Sequence, residues 1–577
     1  MFFFYSTASV CEDVNDLLKN FFLYFKCALQ TLHEICQYSE SDLSSYPLCK
    51  NKLDWMQSGW KTHQCYAENG VDGSFCSFAI YLSEVENYCP YFPWSKVDGL
   101  FEIMSDSTVN YEFIKTRISR MWPRWVSAFA DVKNKWPKTL LNRRKLTVLV
   151  NFSHKLNAAN SGGPLGELVQ WSDLIAALYI LGHELWISSE TASNVVRFMA
   201  DSPCPNVSSK KIDLLFTDIT GVRYMRQKLN SFYLFSLIKH KAELGGKSNP
   251  WGGNRLELQQ FMTMYPHTDD NTFLGFVVET HHVNEQAKRD NTTLVYGKEI
   301  YMWKNADALL KQVAKFSQLH ATVADVKDLS NYTVVNHGLL SGYDFQSLLR
   351  RVKIFLGLGF PLEGPAPLEA VANGAVFLNP KFIPAKSRKS YEFFKDKPTL
   401  RELTSQNPYT ERFIGRPHVI TVDISNPESV ESAVLEALPK PFLPFEFTAT
   451  GMLQRVNTLV NKQNFCSSSS SPAYPPISAL QIKIGESGAS CQRTCAAYGL
   501  VCERSFFKIV NDASLIGDET CSTVASEADP AAPYPCVLQS DPMLFSCASS
   551  PLKIRIRRIC PCRDYISDQV ALCRSCL

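Results

Sequence analysis

Two stretches of the chain alternate short apolar runs with longer segments of helical periodicity. The first begins with the β-branched run LTVLVNF from Leu146, followed by a Gly/Pro turn at 162–164 and the periodic segment ELVQWSDLIAALYILGH. ELWISS at 184–189 and KIDLLFTDI at 211–219 are typical of further strands, with helix-compatible residues around 190–199 between them. Alternating strands and helices predict βαβ units and a parallel sheet.

The same alternation returns after about residue 320. SLLRRVKIFLGLGF predicts a helix and then a strand. APLEAVANG predicts a helix with a glycine at its end, and PESVESAVLEAL predicts a helix that begins at Pro427. AVFLNP and HVITVD, the latter at 418–423, predict two more strands. The fold class is therefore α/β, and the two alternating stretches predict two doubly wound domains that face each other across a cleft.

Composition divides the remaining sequence. The 577 residues, with 45% hydrophobic residues and a formal net charge of +3, exclude a disordered chain and give no electrostatic reason to expect nucleic acid or a membrane surface as partner. A run of serines at 467–471 indicates a linker. We predict a leader or stem over 1–40, a disulfide-stapled module over 41–120, the two α/β domains over 140–320 and 321–465, and a cysteine-rich module over 472–577.

The cysteines indicate the compartment. Of 19, seven lie in residues 1–89 and eleven in residues 466–577, with Cys204 alone between them. Such density, together with N-x-S/T sequons at Asn151, Asn206, Asn291 and Asn331, favours an oxidising secretory lumen. CPC at 560–562 and CRSC at 573–576 are then more readily disulfides than zinc ligands. No apolar window reaches the length of a membrane-spanning helix, so an anchor is not evident.

Two glycine-rich segments could carry chemistry. SGGPLGELVQW at 161–171 follows a strand and begins a helix, which places Glu167 at the carboxyl edge of a parallel sheet, although a first-turn glutamate is often only a dipole partner. GLGFPLEGPAPLEAVANG at 357–374 predicts a helix N-terminus near Ala366 that could face a diphosphate, with Glu369 placed to hold ribose or sugar hydroxyls. A structural turn before an amphipathic helix is the alternative. KIRIRR at 553–558 predicts an edge strand.

At these segments the chain resembles a known family. SGGPLGELVQWSDL, PWGGNRLELQQFMTMYPHTDDNTFLGFVVE, GLGFPLEGPAPLEAVANGAVFLNPKF, KPTLRELTSQNPYTERFIGRPHV and CPCRDYISDQVALCRSCL closely resemble glycosyltransferase family 18, the animal N-acetylglucosaminyltransferase V enzymes. The resemblance extends from about Cys49 to Leu577. It implies a GT-B fold, with two Rossmann-like domains facing a cleft and disulfide-rich modules at both ends. It also implies a Golgi-lumen, type II membrane enzyme that transfers GlcNAc from UDP-GlcNAc in β1,6 linkage to the α1,6-arm mannose of N-glycans on glycoproteins.

The resemblance also implies residue roles. Glu167 matches the catalytic base of an inverting, metal-independent reaction, in which one carboxylate suffices. Glu369 and Lys397 match donor contacts, and we predict Phe360, Pro365 and Leu368 of the same glycine-rich segment as further ones. Trp251 matches an acceptor-site tryptophan and Glu285 a substrate contact. We expect no metal and no cofactor besides the donor itself. A glycosidase would need a second carboxylate in the cleft, which the sequence does not show.

The remaining implications concern disulfides and departures from the family. Between Asp218 and Trp251 the chain is shorter than the family pattern, and Ala449 stands where the family has cysteine. A catalytically impaired luminal or secreted homologue that binds glycan or nucleotide sugar is therefore the alternative function. By matching positions we predict eight disulfides: Cys36–Cys76, Cys49–Cys89, Cys65–Cys204, Cys491–Cys560, Cys495–Cys562, Cys502–Cys547, Cys521–Cys536 and Cys573–Cys576.

Overall fold

A computed structural model gives the structure of the chain. It describes residues 2–6, 38, 43–63, 66, 71, 73, 75–84, 86, 88–90, 97–106, 109–135, 145–152, 156, 165–188, 212–218, 261–266, 271–280, 289–324, 333–388, 390–394, 397, 399–463, 474–516, 521, 523–553 and 555–576. Trp251, Glu285, Asn206, Asn331 and the predicted helix around 190–199 lie outside these residues, as do the side chains needed for Cys36–Cys76 and Cys65–Cys204.

A six-stranded mixed sheet forms the first half of the fold. Its strands are β1 (Phe2–Ser6), β2 (Thr147–Asn151), β3 (Glu184–Ser188), β4 (Leu214–Thr217), β5 (Phe261–Thr263) and β6 (Thr272–Phe273). They lie in the order β3-β2-β4-β1-β5-β6. The pairs β2/β3 and β2/β4 are parallel as predicted, whereas β1 pairs antiparallel with both neighbours.

A seven-stranded sheet forms the second half. Its strands are β7 (Asp290–Tyr296), β8 (Gln318–Ala321), β9 (Val334–Asn336), β10 (Val352–Gly357), β11 (Val376–Lys386), β12 (Leu403–Ser405) and β13 (Val419–Val422). The order is β12-β11-β10-β7-β8-β9, with β13 also paired to β11, and all pairs except β11/β12 are parallel.

Thirteen α-helices lie within the described residues. They are α1 (Cys49–Gly59), α2 (Phe75–Glu84), α3 (Val97–Ile103), α4 (Glu112–Lys135), α5 (Leu165–Ile180), α6 (Asp307–Ala314), α7 (Gly342–Arg351), α8 (Ala366–Ala372), α9 (Pro427–Glu436), α10 (Ala449–Lys462), α11 (Cys491–Ala497), α12 (Phe507–Val510) and α13 (Ala513–Ile516). Pro427 begins α9 because Asn426 caps the helix by accepting hydrogen bonds from two backbone N–H groups. None of these helices is both long and apolar enough to cross a bilayer.

The first sheet and four helices, including Leu100 of α3, share one hydrophobic core. Side chains of α4, α5 and α10 pack with β2 and β4, and Trp125 and Trp171 are almost completely buried there. Helix α5 is buried along most of its circumference, which explains why its apolar residues do not form a narrow stripe. Helix α10 thus joins the first sheet although it follows the second in sequence.

The C-terminal module is built from short strands and disulfides. Strands β14 (Leu480–Ile484), β15 (Val501–Cys502) and β18 (Ile559–Arg563) form one sheet with β18 in the centre, and β16 (Ala525–Glu527) pairs with β17 (Val537–Gln539). Six of the eight predicted disulfides are present: Cys49–Cys89 near the N-terminus and Cys491–Cys560, Cys495–Cys562, Cys502–Cys547, Cys521–Cys536 and Cys573–Cys576 in this module.

Several sequence predictions need correction. Residues 2–6, within the predicted leader or stem, form β1 in the first sheet, and α4, which begins within the predicted module at 41–120, packs in the core of the first sheet. The second sheet begins at residue 290 rather than 321, because β7 and β8 pair with its strands. KIRIRR does not form an edge strand: its described residues precede β18, the central strand of its sheet.

Two sequons fall in described strands, with opposite environments. Asn151 is 1% exposed, its Nδ2 donates to the Ser188 carbonyl at 3.3 Å, and its Oδ1 accepts from Thr217 at 3.1 Å. An amide that carries a glycan does not fit such a position, so we expect Asn151 to be unmodified in the folded protein. Asn291 is exposed on β7 and remains a candidate.

Candidate active site

A cavity of about 1170 Å³ lies between the two sheets. Its walls come from the start of α5 and the end of β5 on one side, from the ends of β7 and β10 on the other, and from one face of α4. This is the crevice at the carboxyl ends of strands in which α/β proteins bind ligands. Glu167, Phe360, Pro365, Glu369 and Lys397 all line it.

Glu167 lies in the first turn of α5, where the helix begins at Leu165. Its neighbour Gly166 is in close contact with the second half of the fold, since a Cβ at that position would lie 3.1 Å from Cδ of Pro365. The absence of a side chain at Gly166 therefore lets the start of α5 approach the segment that leads into α8. This approach brings Glu167 and Glu369 to the same cavity from opposite sheets.

Glu369 lies in the first turn of α8 and is 8% exposed. Burial raises the pKa of Glu369 to about 7; Arg117 opposes the increase, and Glu279 and Asp173 add to it. Leu368 does not line the cavity, and its side chain packs in a buried cluster with Val169 and Phe447. Adjacent residues on a helix differ by about 100° in direction, so Glu369 faces the cavity and Leu368 the interior.

Helix α8 has only seven residues, and the cationic side chains nearby are the clearer anion-binding feature. Lys397 Nζ lies 3.2 Å from the centre of the Phe393 ring, and the Arg401 guanidinium lies 5.1 Å from the centre of the Phe394 ring. Phe393 in turn contacts Phe360 edge-on, with ring centres 5.7 Å apart. The aromatic rings thus hold two cations at the cavity wall.

Two arginines of α4 were missed by the sequence predictions. Arg117 is 3% exposed and donates to Asp173 of α5 through Nε at 3.1 Å and Nη2 at 2.8 Å. Arg120 donates to both carboxylate oxygens of Glu279, each at 3.1 Å. Both arginines line the cavity, and together they fix α4 against α5 and against the segment after β6. The sequence pattern that could have indicated a buried ion pair is the charged residue Arg117 among the apolar helix positions Ile114, Ile118 and Met121.

The cavity contains more carboxylates than the sequence indicated. Besides Glu167 and Glu369, the cavity is lined by Glu112, Asp218, Glu279, Glu299 and Glu363, so the sequence argument against a glycosidase does not hold. Glu279 forms an ion pair with Arg120, and Glu363 forms one with Arg401, so these two carboxylates are already engaged. Within the described ranges, no three His, Cys, Asp or Glu side chains are grouped to hold a metal ion.

Comparison with known proteins identifies the family. The sequence model of glycosyltransferase family 18 matches residues 65–239 and 234–562. The chain is 44% identical to alpha-1,6-mannosylglycoprotein 6-beta-N-acetylglucosaminyltransferase of Caenorhabditis elegans, over 94% of this chain and 91% of that protein. It is 44% identical to the human A form, over 93% and 80%, and 35% identical to the human B form, over 99% and 84%. The chain therefore belongs to glycosyltransferase family 18.

Proposed function

We propose that the chain transfers GlcNAc from UDP-GlcNAc, in β1,6 linkage, to the α1,6-arm mannose of N-glycans on glycoproteins. The observation that carries the proposal is that Glu167, Glu369 and Lys397 line one cavity between two α/β sheets. The names of the relatives, all 6-beta-N-acetylglucosaminyltransferases, supply the substrate class. We assign the first sheet to the acceptor and the second to the donor, which is the GT-B arrangement.

Glu167 is the proposed base. The 6-hydroxyl oxygen of mannose attacks C1 of GlcNAc as the bond from C1 to the diphosphate oxygen breaks, and the hydroxyl proton passes to the Glu167 carboxylate. A single in-line displacement inverts the configuration at C1, so one carboxylate is sufficient. Because a carboxylate is a weak base toward an alcohol, the proton transfers late, once the bond to the leaving group has lengthened.

Lys397 and Glu369 are the proposed donor contacts. The departing UDP carries a developing negative charge, and the ammonium group of Lys397 stabilises that charge without a metal. Glu369, in its ionised form, accepts hydrogen bonds from the ribose hydroxyls. Phe360 and Pro365 line the cavity beside these groups and supply apolar contact area. The predicted acceptor contact of Trp251 and the predicted substrate contact of Glu285 lie outside the described residues and stay predictions.

We place the reaction in the Golgi lumen. Five disulfides stabilise the C-terminal module, and dense disulfides persist in oxidising compartments. The names of the relatives give a mannosylglycoprotein as the acceptor, which agrees with a lumen in which glycoproteins are processed. A membrane anchor of the family type is compatible with this placement.

A transfer assay tests the proposal. Radiolabelled UDP-GlcNAc and a biantennary N-glycan are incubated with the wild-type chain and with Glu167→Gln, in excess EDTA. We expect transfer by the wild type and a loss of roughly 100-fold to 10,000-fold in kcat for the variant, as for removal of a general base. Activity that disappears with EDTA, or that survives the substitution, would contradict the mechanism. Binding of UDP-GlcNAc without transfer would identify a binding homologue instead.

A further inference from the structure

The loop at 359–365 links β10 to α8 and carries two residues of the proposed donor site, Phe360 and Pro365. Gln406 holds its first part, since Gln406 Oε1 accepts from the Gly359 N–H at 2.9 Å and Nε2 donates to the Pro361 carbonyl at 2.8 Å. Arg401 pairs with Glu363, whose φ of 54° is in the left-handed region. These contacts all come from the second half of the fold.

Besides the approach of Gly166 to Pro365, a hydrogen bond reaches this loop from the first half of the fold. Tyr265 lies two residues beyond β5, and its hydroxyl donates to the Gly364 carbonyl at 2.7 Å. Tyr265 is 1% exposed, and its ring packs against Tyr409 and Phe447, with both pairs of ring centres 5.6 Å apart. Burial raises the pKa of Tyr265, so the hydroxyl remains protonated and can donate. The rigid aromatic surroundings fix where the Gly364 carbonyl can lie.

Gly364 is enclosed on its other side by the second sheet. A Cβ at this position would collide with the hydroxyl of Tyr296, which lies at the end of β7. The backbone of Gly364 is therefore held between two tyrosine side chains, one from each sheet. Since Gly364 is five residues before Glu369, its position sets where Pro365 and the first turn of α8 enter the cavity.

We infer that Tyr265 is a positioning residue for the donor nucleotide: from the acceptor-side sheet, it holds the donor-side loop that places Phe360, Pro365 and Glu369. This inference rests on the proposed donor site. Its consequence is that donor affinity depends on a side chain of the opposite half of the fold, whose hydrogen bond acts together with the apolar contacts between the two halves.

A purely structural role is the competing explanation, because a buried tyrosine hydroxyl normally has a hydrogen-bond partner. Tyr474 provides a matched control. It is 9% exposed, and its hydroxyl also donates to a backbone carbonyl, that of Ala571 at 3.4 Å, but it does not line the cavity between the sheets. Replacing either tyrosine with phenylalanine removes one hydroxyl and preserves the ring.

The experiment compares Tyr265→Phe and Tyr474→Phe with the wild-type chain. We measure the Kd for UDP by calorimetry, the KM values for UDP-GlcNAc and for the glycan acceptor, and the Tm. We expect Tyr265→Phe to weaken UDP binding and to raise the donor KM by roughly three- to tenfold, as for loss of one hydrogen bond, with a smaller change in the acceptor KM. Tyr474→Phe should lower the Tm and leave the UDP Kd unchanged.

Three outcomes separate the possibilities. A lower Tm for Tyr265→Phe with a UDP Kd within about twofold of wild type would overturn the inference and leave Tyr265 with a structural role only. Equal loss of UDP affinity in both variants would overturn it too, because the effect would then follow general destabilisation. Failure of the wild-type chain to bind UDP would overturn the proposed donor site itself, a result distinguishable from the other two.

Discussion

Arg117 and Asp173 form a buried, two-point ion pair beneath the cavity, with Arg117 Nε 3.1 Å from Asp173 Oδ1 and Nη2 2.8 Å from Oδ2. The remaining polar contacts complete the pair, since Arg117 Nη2 also donates to the Val277 carbonyl and Asp173 Oδ2 accepts from the Val277 N–H. A buried pair of this kind fixes geometry more than it adds stability, but removing one member leaves a buried charge without compensation.

Arg117→Met is therefore expected to lower the free energy of unfolding by about 3–5 kcal/mol. The control is Arg416→Met, because Arg416 forms an exposed ion pair with Glu436, and its loss should cost less than about 1 kcal/mol. Adding Asp173→Asn to Arg117→Met removes the unpaired charge while keeping an acceptor for the Val277 N–H, and should recover part of the loss. Urea unfolding of the four proteins measures these differences; equal effects of the two arginine substitutions would contradict the prediction.

The ion pair also shows that contacts between residues distant in sequence cannot be predicted from periodicity. The strands β2, β3, β10 and β13 and the helices α5, α8 and α9 could be predicted because periodicity reports burial along a single element. Which distant residues meet is not contained in that periodicity: Arg117 and Asp173 are 56 positions apart, and Tyr265 and Gly364 are 99 apart. Only the packing of α4 on α5, and of one sheet on the other, brings these pairs together.

The candidate site could be predicted to a similar extent. The glycine-rich turns predicted helices that begin near Glu167 and Glu369, and both residues lie in the first turns of such helices, α5 and α8. Lys397 came from family resemblance alone because its segment has no periodic pattern. The two sheets do not follow the predicted boundary at residue 321, for a topological reason. Strand β7 follows the strands of the first sheet in sequence but pairs with β10 of the second sheet. Helix α10 follows the second sheet in sequence but packs in the core of the first sheet. No sequence pattern within β7 or α10 indicates these partners.

The raised pKa of Glu369, about 7, predicts a pH-dependent stability difference between the wild type and Glu369→Gln. Because the folded-state pKa lies above the value of 4.5 expected in the unfolded chain, the contribution of this carboxyl is fully present below pH 4.5 and is lost as the pH rises through about 7. Glutamine does not ionise. The variant should thus match the wild type near pH ~5 and exceed it at pH ~8 by on the order of 2–3 kcal/mol.

Thermal unfolding at the two pH values measures this difference. Glu486→Gln, which removes an exposed carboxylate, is the control and should show little pH-dependent change relative to the wild type. The gain in stability should come with weaker UDP binding, since a neutral amide replaces the proposed acceptor of the ribose hydroxyls. A Glu369→Gln variant less stable than the wild type at the higher pH would contradict the assignment of a buried, destabilising charge.

Lys397 and Lys386 allow a matched test of the proposed diphosphate contact. Each ammonium group lies over an aromatic ring, Lys397 at 3.2 Å from the centre of Phe393 and Lys386 at 3.8 Å from the centre of Phe382, but only Lys397 lines the cavity. We expect Lys397→Met to lower kcat/KM for UDP-GlcNAc by roughly 100-fold, the size of effect seen when one group that stabilises developing charge is removed. Lys386→Met should change it by less than about twofold. Steady-state kinetics at varied UDP-GlcNAc concentration measures kcat/KM for both variants. An equal loss of kcat/KM in the two variants would contradict a specific donor contact of Lys397.

The two described sequons should behave differently when the chain is expressed through the secretory pathway. Glycans are added to asparagine in N-x-S/T before folding is complete, and a modified Asn151 could not enter its buried position between Ser188 and Thr217. Ser153→Ala abolishes this sequon without altering Asn151. The intact mass of the folded variant should therefore differ from that of the wild type only by the mass difference between serine and alanine. Asn291→Gln, at an exposed position, should remove the mass of one glycan. Loss of a glycan in Ser153→Ala would show that Asn151 is accessible, and would therefore contradict the position of β2 in the interior of the first sheet.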